Sequence, residues 1–192
     1  MTLRVDLIPS PPYPQPVLVV DVFFGSLVGA LLSAGAREVW VVKSVRAARL
    51  LAEGGALLLG EQEGVPPEGF HGGLSLQALP GLQVEGKTCV LLAPPLAESL
   101  ERMPLETGLA YFRNAKAVVA QALERKIDTV VAAIQGRLEP SLANTVAAGF
   151  IAKRLYQALG KVGGLAGGRA PGHGPAEILP GSARVAFPVR DG

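Results

Sequence analysis

The run Val17-Leu18-Val19-Val20-Asp21-Val22 constrains this chain more than any other segment, because it is apolar up to its fifth residue and rich in β-branched side chains. A run of this kind has no wet face, so it reads as a central strand buried on both sides, as in parallel sheets covered by helices. Five prolines between positions 9 and 16 precede it, fixing φ and removing donors, which makes that stretch a stiff connector. Gly25 and Ser26 follow as a turn and an N-cap for a short apolar helix over 27–34, and Gly35 stands where a left-handed C-terminal residue belongs.

The same strand, turn and helix cycle recurs along the chain. Strands are expected at 3–8, 38–42, 56–59, 88–92, 107–110 and 129–134. Helices are expected at 44–53, capped by Ser44, at 96–103, at 114–125, capped by Asn114, and at 141–159. Parallel neighbours need crossover connections, so the fold class is α/β, a largely parallel sheet with helices on both faces. The 192 residues are expected to form one domain. Segment 60–80 is long, irregular and rich in Gly and Pro, and a loop of that length inside a compact domain is more often functional than accidental. From 160 to 192 the chain becomes a Gly- and Pro-rich tail, expected to be partly flexible, with one late strand at 184–189.

Charge and cysteine usage narrow the function classes. Eighteen basic against 16 acidic residues leave a net charge of +2, and the signs are intermixed, so neither nucleic acid nor a membrane surface is an expected partner. No apolar run reaches the ~20 residues that span a bilayer, and the opening residues do not make a signal peptide, so a cytoplasmic protein is expected. Cys89 is the single cysteine and His71 and His173 are the only histidines, which leaves no Cys/His zinc cluster and requires oxygen ligands for any metal. The abundance of Pro and the excess of Arg over Lys resemble a thermophilic or GC-rich source.

One motif is a false lead. Gly81-Leu82-Gln83-Val84-Glu85-Gly86-Lys87-Thr88 matches the phosphate-loop pattern letter for letter. A working phosphate loop opens a helix at its Lys-Thr, whereas Thr88 here opens the strand-like Cys89-Val90-Leu91-Leu92. A turn leading into a strand is the expectation.

Ligands of open α/β sheets bind beyond the carboxyl ends of the strands. Asp21 lies near the end of the central strand, Glu61 and Glu63 follow the strand at 56–59, and Asn114 opens a helix. Asp21 and Glu61, from two separate loops, are candidates to converge there as catalytic acids and as ligands of a hard cation such as Mg²⁺, which takes one or two carboxylates with water and substrate phosphate. Gly25 and Ser26 add backbone donors at a helix N-terminus and are a candidate anion seat. His71, between glycines in the long loop, is a candidate general acid or anion contact. Each has a plainer reading: an acid that only caps a loop, a Gly-Ser turn that only starts a helix, a histidine that is only exposed.

Several stretches taken in order carry a likeness. Val19-Val20-Asp21-Val22 before a turn, Gly60-Glu61 with Gly64 and then Gly69-Phe70 with Gly73, Gly86-Lys87 before a strand, Phe112 with Asn114-Ala115, and Ala148-Gly149 in the last helix resemble the 2-phosphosulfolactate phosphatase family from about position 17 to 159. The resemblance implies a Mg²⁺-dependent enzyme that releases phosphate from a small anionic phosphoester, with Asp21, Glu61 and Asn114 kept by position, and it allows a homodimer. The departures concern charge. Where the family has Asp-Val-Leu-Arg-Ala-Thr the chain has Asp21-Val22-Phe23-Phe24-Gly25-Ser26, without the arginine. A Thr-rich stretch ending in Asn-Gly-Thr falls on Leu92-Ala93-Pro94-Pro95-Leu96-Ala97, and a Glu-Asp pair falls on Ala143-Asn144. Two functions stand side by side: a phosphatase of this type acting through Asp21 and Glu61, and a catalytically silent relative that keeps the scaffold as a binding or partner subunit.

Overall fold

In the computed structural model, residues 3–13, 15–52, 54–136, 138–162, 177–179 and 182–186 are described. The central strand β2 (Leu18–Val20) pairs in parallel with β6 (Gly108–Ala110) on one side and β7 (Thr129–Ala132) on the other, and β1 (Arg4–Asp6) extends the sheet beyond β7. Val19 stands opposite both Leu109 and Val131. A second sheet is built from β3 (Glu38–Val42), β5 (Thr88–Leu92) and β4 (Leu57–Gly60), all parallel, with β11 (Ser182–Ala186) antiparallel on the free side of β3 and β10 (Glu177–Leu179) outside it. The short pair β8 (Ile134–Gln135) and β9 (Glu139–Pro140) follows β7.

Strand alternation sorts the side chains into layers. Val17, Val19, Leu109 and Val131 face inward and join Val39, Val41, Leu59 and Leu91 of the second sheet in one core, with α1 (Phe23–Ser33) and α3 (Pro94–Leu100) lying between. Leu18, Val20, Ala110 and Val130 face outward against α4 (Ala115–Glu124) and α5 (Leu142–Val162). Val42, Leu58 and Val90 of the second sheet face the other outside, covered by α2 (Val45–Ala52). The order is therefore helices, sheet, helices, sheet, helix. The α/β class is as expected, but two sheets replace the one. The physical reason is in α1, which is apolar around nearly its whole circumference and must be covered on two sides.

Local expectations differ in instructive places. Ser44 caps α2 as expected, its Oγ accepting the Ala47 N–H at 3.1 Å. Gly86 adopts a left-handed φ of 67° and Thr88 opens β5, so the phosphate-loop match is a turn before a strand. Helix α3 begins earlier than expected, at Pro94, because proline is well suited to a first helical turn where no N–H partner is needed. The strand expected at 129–134 divides into β7 and β8. The late strand is found at Ser182–Ala186; positions 187–189 and most of the glycine-rich tail lie outside the described residues. Among the described residues no helix is long and apolar enough to cross a membrane.

Candidate active site at the carboxyl rim

Helix α1 leaves the carboxyl end of β2 and delivers the chain to the amino end of β3, so the parallel strands of both sheets point the same way. Their carboxyl ends form one rim, and α3 runs across it. It starts where the Ala93 N–H meets the Val42 carbonyl at 2.9 Å. In its last turn the Ser99 Oγ accepts the Ile134 N–H at 3.0 Å, and just past its end at Leu100 the Glu101 carboxylate is 2.9 Å from Lys43 Nζ.

Asp21 sits at this rim with 2 % exposure. Its Oδ1 accepts the N–H groups of Phe24 at 2.7 Å and Gly25 at 3.3 Å, so Asp21, one residue before the N-cap position at Val22, supplies the side chain that closes the first turn of α1. That corrects the expected role of Ser26: the helix starts at Phe23, a turn early, and Ser26 lies inside it with Oγ donating to the Val22 carbonyl. Burial raises the Asp21 pKa above the ordinary carboxylate range, against the lowering effect of hydrogen bonds from Gly25, Phe24, Asn144 and Phe23.

Asn144 is the partner that sequence reading missed as a site residue. Besides bonding the Asp21 carboxylate, its Oδ1 accepts the Val22 N–H at 2.8 Å and its Nδ2 donates to the Ala133 carbonyl at 3.1 Å, so one buried amide ties the ends of β2 and β7 to α5. The signal was the Ala143-Asn144 position where the resembling family carries Glu-Asp. Tyr111 was missed too. Its ring lies against α1, where a Cβ on Gly25 would meet ring carbon Cδ1 at 3.4 Å and one on Gly29 would lie 1.8 Å from the hydroxyl oxygen. Gly25 and Gly29, one turn apart, therefore form the groove that accepts this ring, and burial raises the Tyr111 pKa.

Glu61 follows β4 directly and is half-buried. Its Oε1 accepts the Leu74 N–H at 2.8 Å, and Gly73 leaves the space the carboxylate needs, since a Cβ there would stand 2.4 Å from Oε1. Leu74 and Phe24, neighbours of the two acids, both pack against the core between the sheets. His71 is exposed, but its ring is committed on one side: Nδ1 accepts the Leu58 N–H at 3.0 Å while its own N–H reaches the Leu58 carbonyl at 2.8 Å. The imidazole thus finishes the open edge of β4. Asn114 does not cap α4 with its side chain; it lies in a 3₁₀ turn, accepts the Tyr111 N–H at 2.8 Å and donates to the Leu109 carbonyl at 2.9 Å.

The helix N-termini at the rim, the natural seats for an anion, are largely closed by the chain itself. Asp21 closes α1, Ser44 closes α2, and Ser141 accepts the Asn144 N–H at 3.3 Å in the first turn of α5. Pro94 and Pro95 bring no donors to α3, and α4 is entered through the 3₁₀ turn at Phe112–Asn114. Among the described residues no three His, Cys, Asp or Glu side chains gather in a way that could hold a metal ion. Asp21 and Glu61 each follow the carboxyl end of a strand and offer hard oxygen donors, and neither has an ion-pair partner among the described residues, unlike Glu101, which pairs with Lys43.

Comparison with known proteins finds named relatives of the chain. Residues 2–166 match the family described as 2-phosphosulpholactate phosphatase. A Deinococcus radiodurans protein named probable 2-phosphosulfolactate phosphatase is 34 % identical over 164 residues, which cover 81 % of this chain and 68 % of the relative. A Thermotoga petrophila protein of the same name is 34 % identical over 158 residues, 79 % of this chain and 68 % of the relative. Its Thermotoga maritima counterpart matches to the same extent.

Proposed function

Because the chain belongs to the 2-phosphosulfolactate phosphatase family, we propose that it hydrolyses a small acidic phosphomonoester at the carboxyl rim, with Asp21 and Glu61 as its acids. The observation that carries this reading is the state of Asp21: a carboxyl group withdrawn from water at the end of the central strand, whose hydrogen bonds do not offset its lost hydration. A cation relieves such a group.

Magnesium suits this donor set in kind, since it takes one or two carboxylates and leaves its other positions to water and phosphate oxygen. Asp21 and Glu61 would hold it, and Glu61 Oε2 accepts no hydrogen bond among the described residues. When bound, the ion would neutralise phosphoryl charge and lower the pKa of a bound water. The chain's own groups do the positioning. Asn144 and the amides of Phe24 and Gly25 orient Asp21, and the Leu74 amide orients Glu61. His71 turns its Nε2 edge toward a substrate anion because Nδ1 is held by Leu58. Ser26 and Asn114 shape the first turn of α1 and the end of β6.

A second reading, a scaffold without turnover, is favoured by the self-closed helix N-termini and by the prolines of α3. The test is phosphate release from a panel of small phosphomonoesters with and without Mg²⁺. Metal-dependent release that Asp21→Asn abolishes supports hydrolysis. No release from any ester, with Asp21→Asn indistinguishable from the parent, leaves the silent scaffold.

A further inference from the structure

On the outer face of the first sheet, α4 and α5 pack on one another through their small residues, and the outer side of their seam stays open. They leave a groove of about 710 Å³ lined by Lys116, Val119, Phe150, Lys153, Arg154 and Gln157 among others. Three of these side chains are cations from two different helices, and among the described residues no acid lines the groove. None of the three makes an ion pair among the described residues, whereas Arg4, Arg37 and Lys43 each have a carboxylate within ion-pair distance.

Convergent like charges raise one another's electrostatic energy, and an anion placed among them reverses the sign of every one of those interactions. One of the cations is already oriented. The Arg154 guanidinium lies 4.6 Å from the centroid of the Phe150 ring, and Phe150 is braced edge-on by Phe112 at 5.6 Å. A guanidinium held over an aromatic face loses less freedom when it meets an oxyanion, and its planar fork matches phosphate oxygens in pairs. The volume exceeds what one inorganic phosphate needs, and Val119 and Phe150 give the groove an apolar part for the rest of a ligand.

We propose that this groove binds a small organic phosphate carrying two or more negative charges, at a site separate from Asp21 and Glu61. The proposal does not rest on the hydrolysis reading, because no residue is shared and binding is read without turnover. The probes are inorganic pyrophosphate and adenosine 5′-diphosphate, titrated into the full chain without added Mg²⁺ at low and at physiological ionic strength, followed by calorimetry and by amide chemical shifts.

Saturable one-to-one binding is expected, with shifts confined to α4 and α5 and affinity falling as salt rises. The triple variant Lys116→Gln, Lys153→Gln, Arg154→Gln is expected to weaken binding at least ~10-fold, the size expected for lost charge-assisted hydrogen bonds. Phe150→Ala is expected to weaken it several-fold by releasing Arg154. Arg102→Gln, a charge removed elsewhere on the surface, is expected to change nothing; far-ultraviolet circular dichroism and thermal unfolding show that each variant is folded. Non-saturable binding, shifts outside α4 and α5, equal losses in Arg102→Gln, or a triple variant that binds like the parent would overturn the proposal.

Discussion

At the carboxyl rim, charge and dipole are answered from within the chain. The Asp21 carboxylate takes the first amides of α1, Asn144 takes Asp21 and the Val22 N–H, and Glu61 takes the Leu74 N–H. Between α4 and α5 the opposite holds, and Lys116, Lys153 and Arg154 line a groove with no carboxylate among the described residues. The difference teaches where a ligand has work to do. At the rim it must displace or supplement partners already in place, while in the groove it supplies the missing partner. Three measurements sharpen or break that contrast.

The largest effect is expected from Gly29→Ala. Its new Cβ would lie 1.8 Å from the Tyr111 hydroxyl oxygen, so either the buried ring or α1 must move. Overpacking of this severity should cost about 3 kcal/mol in urea unfolding. A loss below about 0.5 kcal/mol, the range of an ordinary surface change, would mean that Tyr111 does not clamp α1 at the rim.

An intermediate effect is expected at Asp21. Asp21→Ala removes the acceptor of the Phe24 and Gly25 amides and should destabilise by about 1–2 kcal/mol, whereas Asp21→Asn keeps a capping oxygen and should lose little. The pH dependence distinguishes them further. Burial raises the folded-state pKa above the unfolded value, so the folded state holds this proton more tightly. The resulting stability is fully present below the ordinary carboxylate pKa and is lost as pH rises through the folded pKa. Unfolding midpoints measured from acidic to neutral pH should therefore fall in the parent relative to Asp21→Asn. Parallel curves would show that Asp21 carries no burial penalty.

The smallest effect is expected in the groove. Lys153→Gln with Arg154→Gln removes exposed cations that have no acidic partner among the described residues, so stability should stay within about 0.5 kcal/mol of the parent. A loss comparable to that of Asp21→Ala would mean that these cations are structurally satisfied and that the contrast between the two regions is false.

Much of the fold was legible because the informative signals are local. The unbroken run at 17–22 marked a doubly covered strand, Ser44 marked the start of α2, and the strand-like residues after Thr88 ruled out a phosphate loop. The candidate site was legible in part. Asp21 and Glu61 were chosen for their places after strands, and each does follow the carboxyl end of one, β2 and β4. Ser26 was misread as a cap because Asp21, five residues earlier, competes for the same helix end and reaches its first amides. Asn114 was misread because a 3₁₀ turn precedes α4, and the turn takes up its side chain. Asn144 and Tyr111 gave no local sign of their roles. Their partners lie far away in sequence, with Val22 and Asn144 separated by 122 positions.

Taken alone, the sequence determined which segments are strands, which are helices, and which face of each is apolar, because side-chain periodicity and capping act over a few residues. Tertiary structure alone decided that the strands divide into two sheets around α1 and α3, that Asp21 is shared between the first amides of α1 and Asn144 of α5, and that three cations from α4 and α5 line one groove with no acid among the described residues. Those outcomes depend on which distant surfaces meet, and packing energy is a property of the assembled pair that neither segment carries by itself.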